Sequence, residues 1–318
     1  MLIEIRNAGC RLRIHNGLLE ITPPAAPGGD APPARPWRIP PDQVTRLVLE
    51  TPRATLSSAV LAELARCGVP ILVCDNAHRP AAEVSAAEGS GTGRNAALLR
   101  AQVLLRADTR RRLWKRVVQA KLLMQAETLG RSAGGAGAER LRRLARGVQP
   151  GDPKNHEATG AQIYWPALMG TRFRRGGEPL VANALLDYGY AVLRAMMLRA
   201  LHEAGPHPAF GIHHAGADNP GNLADDLMEP YRPAADRLVR RLMDEAPDDG
   251  PTPVHKARLA ELGGYPVRLA GQEMQLRNAV LETCRSHADI LRRTARDLRL
   301  PESLGEPEQC PMPGAPCG

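Results

Sequence analysis

Aromatic side chains are scarce in this chain of 318 residues, since Phe, Trp and Tyr together make up 3% of it. That scarcity argues against a protein that binds nucleic acid by stacking bases on rows of rings. The six cysteines form no Cys-x-x-Cys pair, which argues against a structural zinc site and favours reduced thiols in a cytoplasmic protein. No apolar run approaches the roughly 18 residues that a spanning helix needs, so no membrane partner is expected. Residues 1–6 also lack the form of a signal peptide.

The charge that is present is mainly positive, with 42 Lys and Arg against 34 Asp and Glu and a formal net charge of +8. A basic balance favours an anionic partner such as nucleic acid. Residues 100–121 hold many cations and only one anion, Asp108. Because a solvated helix face usually mixes both signs, this stretch favours a surface that follows DNA phosphates, with a solvated face as the alternative. The candidate DNA-binding residues are Arg110, Arg112 and Lys115 in this stretch, and Arg172, Arg174 and Arg175 in a second basic patch.

Short apolar runs and alternating patterns predict a small N-terminal β-sheet domain over residues 1–82. Asn16-Gly17 predicts a tight hairpin, and Ser57 or Ser58 can begin a helix. The proline-rich segment 22–36 predicts a flexible loop inside this domain, and its role does not follow from the sequence. Residues 83–95, rich in Gly and Ser, predict a linker.

Helical periodicity then predicts a larger, all-α catalytic domain over residues 96–300, so the expected fold class is α+β. Residues 131–138 predict a break between helices. Residues 181–204 are apolar nearly all round, as is typical of a central core helix. Further helices are expected at residues 222–245, 253–262 and 273–298, followed by a disordered tail at 301–318.

Imidazole and carboxylate groups follow each other closely in the second half of the chain. Residues 211–214 read Gly-Ile-His-His, and Asp225, Asp226 and Glu229 follow within fifteen residues of His214. Spacings of three and four place carboxylates on one helix face, and such groups suit Mg²⁺ or Mn²⁺. A solvated acidic face neutralised by arginine is the alternative, and the prolines at 230 and 233 predict a bend there.

Glu157 is a more distant candidate ligand, at the start of a helical run that follows Gly-Asp-Pro-Lys-Asn. From composition alone, an ordinary first-turn glutamate that complements the helix dipole is the simpler interpretation. A carboxylate metal site on a basic protein nevertheless indicates chemistry on phosphodiesters.

These segments together resemble the CRISPR-associated spacer-acquisition integrase family, and most closely the form found beside type II, RNA-guided effector nucleases. The resemblance covers nearly the whole chain. It is carried by residues 47–55, 73–75, 78–80, 183–190, 211–214 and 223–233.

The resemblance implies three metal ligands, which are a glutamate, a histidine and a second acidic residue. Glu157 matches the first, although the family often has Gly where this chain has Ala158. His214 matches the histidine. The third falls on Glu229, where many members have Asp, and Asp226 then matches a supporting carboxylate. The other supporting candidates are His213, His156 and Asn183.

The resemblance also implies the reaction and the partners. A DNA 3′-hydroxyl would attack a phosphodiester polarised by the metal, joining a short foreign fragment to the repeat array, and water in its place would give cleavage. The implied partners are double-stranded DNA, a second copy of the chain bound through the N-terminal domain, and a small ferredoxin-like subunit that completes a heterohexamer. The RNA-guided effector nuclease is a further expected partner. A stand-alone metal-dependent nuclease and a non-catalytic DNA-binding scaffold remain as alternatives.

Overall fold

Strands dominate the first hundred residues and helices dominate the rest, in two units divided between Arg100 and Ala101. The computed structural model describes residues 1–24, 35–44, 46–76, 80–84, 90–132, 135–177, 180–245 and 252–305. Most of the predicted proline-rich loop, the middle of the predicted linker, residues 78–79 and the end of the predicted tail lie outside this described part. The arrangement confirms the predicted fold class.

Among its described residues, the N-terminal unit contains two four-stranded sheets, one complete helix, a 3-10 turn at Pro41–Gln43 and the start of a second helix. Its strands are β1 (Leu2–Ile5), β2 (Arg11–His15), β3 (Leu18–Thr22), β4 (Trp37–Ile39), β5 (Arg46–Leu49), β6 (Thr55–Leu56), β7 (Ile71–Cys74) and β8 (Pro80–Val84), and its helix is α1 (Ser58–Arg66). One sheet has the order β1-β5-β7-β8 and the other the order β4-β3-β2-β6. The predicted hairpin is confirmed, because Asn16 and Gly17 both have positive φ between β2 and β3, as a tight turn requires.

The second unit is mainly helical, with one small antiparallel sheet. Its helices are α2 (Ser90–Val103, which begins in the first unit), α3 (Ala107–Ser132), α4 (Gly135–Gly147), α5 (His156–Met169), α6 (Leu180–Ala204), α7 (Asn222–Met228), α8 (Arg232–Glu245), α9 (Pro253–Ala260) and α10 (Leu276–Leu291). Its strands are β9 (Pro266–Leu269), β10 (Gln272–Gln275) and β11 (Pro301–Leu304), in the order β10-β9-β11. Short 3-10 turns at Glu229–Tyr231 and Glu261–Gly264 complete it.

Several predicted boundaries were wrong, and in two of them burial overrides local propensity. The predicted linker extends into β8 at one end and α2 at the other. The predicted helix break contains the start of α4, where Gly137 lies close to Leu129 and Ala138 is buried. The predicted tail begins with β11, an edge strand in which Leu304 is fully buried and Pro301 occupies the first position, where a missing N–H is tolerated.

The predicted helix at 273–298 is likewise shorter than expected. Ala270 and Gly271, both with positive φ, form the turn of a β9–β10 hairpin, so the helix begins only at Leu276. None of the helices in the described part of the chain is both long enough and apolar enough to cross a membrane.

His287 on α10 makes the unfolding free energy depend on pH. It is buried, neither ring nitrogen has a hydrogen-bond partner among the described groups, and burial lowers its pKa from 6.5 to about 4. A lowered pKa means that the unfolded chain binds the proton more tightly, so this group's contribution is present above pH 6.5 and is lost as the pH falls toward 4. We expect His287→Leu to unfold less readily at low pH, because it lacks the titrating ring. At about 1.4 kcal/mol per pKa unit, the fall in the free energy of unfolding between pH 7 and pH 4 should be smaller by up to about 3 kcal/mol.

Urea unfolding between pH 7 and pH 4 measures this effect. His15 is exposed at the end of β2, so His15→Leu provides the control. Equal pH slopes for wild type and His287→Leu would contradict the prediction.

Candidate active site

Glu157 lies in the first turn of α5, which is anchored by side chains from the loop before it. Asn155 has positive φ and its side chain accepts a hydrogen bond from the N–H of Ala158. Asp152 is buried and its two carboxylate oxygens accept hydrogen bonds from the backbone N–H groups of His156 and Glu157, each at 3.0 Å. Both side chains satisfy N–H groups that have no partner inside the helix, so they fix where the helix begins and therefore where Glu157 lies.

Gly160 lets α5 approach α3 closely. A Cβ at this position would overlap the side chain of Leu122 on α3 and come within 3.5 Å of Gln125. Since Glu157 and Gly160 are three residues apart, they lie on neighbouring positions of one helix face. The absent side chain therefore brings Glu157 towards α3.

Glu229 lies between two helices rather than inside one. Helix α7 ends at Met228, a single 3-10 turn follows at Glu229–Tyr231, and α8 begins at Arg232. Pro230 lies in that turn, so the bend predicted from the prolines is confirmed. The Glu229 side chain is only 5% exposed, and Arg232 lies 3.0 Å from its Oε1.

Arg232 connects Glu229 to a buried hydroxyl network. Its guanidinium lies over the Tyr190 ring, 4.8 Å from the centroid. The hydroxyls of Tyr190 and Tyr164 both donate to the carboxylate of Asp236, and burial raises the pKa of Asp236 to about 6. Arginine neutralises part of the acidic run, as the alternative interpretation expected, but in a buried position rather than on a solvated face.

Asp226 holds the loop that carries His214. Its Oδ2 accepts hydrogen bonds from the N–H groups of Ile212 (2.6 Å) and His213 (2.9 Å). Its Oδ1 accepts from the N–H of His214 at 3.1 Å and contacts Nδ1 of the same residue at 2.6 Å. Gly211 permits this wrapping, because a Cβ there would overlap the His214 carbonyl and crowd the Asp226 carboxylate. Both carboxylate oxygens of Asp226 are therefore engaged within the loop.

The same contact determines the chemistry of the His214 ring. The hydrogen bond to Asp226 raises the pKa of His214, and the negative charges of Asp226, Glu229 and Glu157 raise it further, against the opposing effect of burial. Since Nδ1 contacts Asp226, Nε2 is the nitrogen left to bind a metal, the usual arrangement for a histidine ligand.

Trp114 on α3 packs against both histidines. The His213 ring stacks on it with centroids 4.2 Å apart and planes within 4°, and the His214 ring meets it edge-on at 5.9 Å. His213 is therefore occupied by stacking. Trp114 itself is fully buried, so it supplies a rigid wall behind His214.

Lys121 on α3 lies between two of the predicted ligands. Its Nζ is 2.7 Å from Glu157 Oε1 and 2.5 Å from Glu229 Oε2. Burial alone would lower the pKa of Lys121, but the charges of Glu229 and Glu157 raise it above its usual value, so the group is an ammonium. The charge of this ammonium therefore holds both carboxylates.

The side chains of Glu157, Glu229 and His214 are of the types that bind a hard divalent cation, although the Lys121 ammonium lies between the two glutamates. Among the residues that the structure describes, no three His, Cys, Asp or Glu side chains are grouped closely enough to hold a metal ion together. Glu157 and Glu229 instead meet across the Lys121 ammonium. Two carboxylates, one buried, and an imidazole nitrogen are ligands that Mg²⁺ or Mn²⁺ accepts, and a cation already occupies the space between the oxygens.

The candidate DNA-binding residues differ in how far they are engaged within the protein. Arg112 donates to the Arg296 carbonyl and lies 2.7 Å from Asp297, and Arg174 donates to the carbonyls of Thr171 and Phe173. Arg175 lies 2.5 Å from Asp187 and over the Tyr190 ring. By contrast, Arg172 is exposed, Lys115 is partly exposed, and Arg110 has a buried Nε.

Two of the supporting candidates organise loops. Asn183 on α6 donates to the carbonyls of Arg174 and Gly177 and accepts from Arg175 and the N–H of Gly176, so it holds the second basic patch. His156 contacts the Asp152 carboxylate through Nδ1 at 3.0 Å and so belongs to the cap of α5.

Sequence reasoning missed the contributions of Lys121, Asp152 and Trp114. Asp152 precedes the first turn of α5, and an acidic residue at such a position is a capping signal that the sequence does show. Lys121 gave no such signal, because its position in a basic stretch suggested solvent or DNA, and its contacts with Glu157 and Glu229 span 36 and about 108 residues of sequence.

Comparisons with known proteins match these observations. The model of the family described as CRISPR associated protein Cas1 matches residues 3–247. The CRISPR-associated endonuclease Cas1 of Neisseria meningitidis serogroup C is 33% identical over 268 residues, which are 84% of this chain and 87% of that protein. The resemblance inferred from the motifs is thereby confirmed, whereas its closer likeness to the type II form stays a prediction.

Two solved structures share the fold at low sequence identity. A casposase bound to integration product has a TM-score of 0.68 and 16% identity, and the match covers 93% of this chain and 97% of that one. The partial Cas6-RT-Cas1–Cas2 complex contains a chain with a TM-score of 0.66 and 15% identity, covering 95% of this chain and 99% of that one.

Proposed function

Because this chain belongs to the CRISPR-associated Cas1 family, we propose that it is a metal-dependent integrase that joins short foreign DNA fragments to a repeat array. The same site cleaves DNA when water replaces the DNA 3′-hydroxyl. The observation that carries this proposal is the meeting of Glu157 on α5 and Glu229 on the 3-10 turn at Lys121, with His214 fixed by Asp226 in the loop before α7. Three oxygen and nitrogen ligands from separate elements are what phosphodiester chemistry with Mg²⁺ or Mn²⁺ needs.

Glu157, Glu229 and Nε2 of His214 would hold the cation. When bound, it would stabilise the negative charge that develops on the phosphate during attack. Asp226 keeps the His214 ring in one orientation and one tautomer through its contact with Nδ1. Asp152 and Asn155 fix Glu157 through the α5 N-terminus, and Arg232 fixes Glu229. These residues hold the ligands in place before DNA arrives.

Double-stranded DNA and a small partner subunit belong to the same proposal. A similar fold has been solved bound to an integration product, and another within a Cas1–Cas2 complex. The net charge of +8 supports contact with the DNA backbone with little reading of sequence. Dimerisation through the N-terminal unit and assembly into a heterohexamer with the ferredoxin-like subunit complete the proposal, with the RNA-guided effector nuclease as a further partner.

An integration assay tests this function. The protein, with and without the small partner subunit, is mixed with a short duplex carrying free 3′-hydroxyls, a supercoiled plasmid bearing a repeat array, and Mg²⁺ or Mn²⁺. Covalent joining that EDTA abolishes is expected. Cleavage without joining would favour a stand-alone nuclease, and DNA binding without either reaction would favour a scaffold.

DNA binding by the basic surface predicts a specific dependence on salt. Lys115 and Arg172 are the candidates least engaged with other residues in the described structure. Neutralising a side chain that contacts phosphate lowers the slope of log K against log salt by about 0.9. We therefore expect Lys115→Ala and Arg172→Ala to lower that slope by about 0.9 each, as measured by fluorescence anisotropy over a salt series.

Arg66→Ala provides the control for this measurement. Arg66 is exposed on α1 and paired with Glu63, outside both basic patches. Unchanged slopes in both Lys115→Ala and Arg172→Ala would remove these two residues from the DNA surface.

A further inference from the structure

Lys121 brings a positive charge to the one place where the proposed function requires a different cation. Its side chain is 12% exposed, and its Nζ lies within 2.7 Å of Glu157 and 2.5 Å of Glu229. Without a cation between them, these two carboxylates would face each other in a partly buried space, where like charges repel more strongly than in water. The ammonium therefore stabilises the pair.

The two oxygens that Lys121 contacts are also the oxygens that a divalent cation needs. Mg²⁺ requires its ligands at about 2.0–2.1 Å in near-octahedral geometry, which leaves no room for an ammonium between the same oxygens. The contact with Glu229 Oε2 is an ion pair at 2.5 Å, so another cation can replace the ammonium there. Arg232 holds the opposite oxygen, Oε1, and so keeps the Glu229 side chain in place during an exchange.

We propose that Lys121 is the resident counter-ion of this site, holding Glu157 and Glu229 in position without metal and leaving them when a divalent cation binds. Lys121 thereby sets the affinity for the metal, because every binding event must displace its ammonium. The flexible four-carbon stem of lysine allows that displacement without movement of α3. The inference rests on the metal dependence proposed above.

Calorimetric titration of the full-length protein with Mn²⁺ tests the exchange. Lys121→Met keeps the length of the stem and removes the charge, so we expect Mn²⁺ to bind at least about tenfold more tightly than to wild type. Without metal, the variant should melt at a lower temperature than wild type, and saturating Mn²⁺ should raise its melting temperature more. Lys256→Met, at an exposed position on α9 outside both basic patches, should match wild type in both measurements.

The outcomes separate this inference from the proposed function. If wild type binds Mn²⁺ and Glu157→Gln weakens that binding, but Lys121→Met binds Mn²⁺ no more tightly than wild type, only the exchange is wrong. If wild type binds no Mn²⁺ and shows no metal-dependent activity, the proposed metal dependence fails and the exchange fails with it.

A folding defect in the variant also gives an answer. Purification of Lys121→Met or Lys121→Gln as a folded protein only in the presence of Mn²⁺ would support the exchange, since the metal then replaces the missing charge. Unfolding of both variants that Mn²⁺ does not reverse would overturn it, because Lys121 would then be a structural cation that metal cannot replace.

Discussion

Replacement of Glu229 by glutamine is expected to lower both DNA joining and DNA cleavage by at least about a thousandfold, since a metal ion supplies several kcal/mol of charge stabilisation and about 4 kcal/mol corresponds to that factor. Glutamine keeps the size of the side chain and removes the negative charge that a divalent cation requires. Glu229 is also buried, so solvent screens its charge less than that of an exposed carboxylate. DNA binding, which depends on the basic surface, should persist.

Single-turnover joining and cleavage assays measure the loss, with DNA binding followed by anisotropy on the same preparations. Glu139→Gln is the matched control, because Glu139 is exposed on α4 and pairs only at the surface with Arg142 and Arg146. Full activity in Glu229→Gln would transfer the third ligand to another residue. Parallel loss of activity and DNA binding would indicate a role in DNA contact instead.

Asp226→Asn is expected to lower the free energy of unfolding by about 3 kcal/mol and to lower activity by about 10–100-fold. Asp226 is fully buried, and its carboxylate faces three backbone N–H groups as well as Nδ1 of His214. An amide has one oxygen where the carboxylate has two, so its NH₂ group would face N–H donors. The loop at residues 211–214 would lose its fixed conformation, and His214 its orientation.

Urea unfolding and the joining assay together test this prediction. Asp218→Asn is the control, because Asp218 lies exposed in the same connection between α6 and α7. A stable Asp226→Asn variant with the metal affinity and activity of wild type would show that His214 needs no support from Asp226. A loss of activity at full Mn²⁺ affinity would instead assign Asp226 a direct part in the reaction.

Local patterns predicted much of the fold because they depend on neighbouring residues. Asn16-Gly17 gave the hairpin, and the helix at 181–204 is described as α6, in which only Ala184, Asp187 and Ala191 are exposed over those residues. Boundaries failed where tertiary packing outweighed propensity. Gly137 near the start of α4 permits close contact with α3, and the buried Leu304 holds β11 in a sheet.

The candidate ligands could be proposed from the sequence only with the help of a family resemblance. Composition alone favoured an ordinary first-turn glutamate at Glu157, and spacing alone left the acidic run open between a metal site and a solvated face. The structure gives physical reasons to separate Glu229 from Asp226, because Asp226 is engaged by the loop whereas Glu229 lies beside Glu157 across Lys121. Such a distinction depends on distances between residues far apart in sequence, which no local pattern encodes.

That separation along the chain has a consequence for how the enzyme is made. The bridge of Lys121, Glu157 and Glu229 spans about 108 residues, and closing such a loop costs entropy that only a nearly complete second unit can offset. A ribosome-bound chain that ends before α8 lacks the packing that holds Glu229, so it lacks a DNA-cutting centre. The contacts that hold Glu229 thus require synthesis through α8, and catalytic competence reports that at least this much of the second unit has been made and packed.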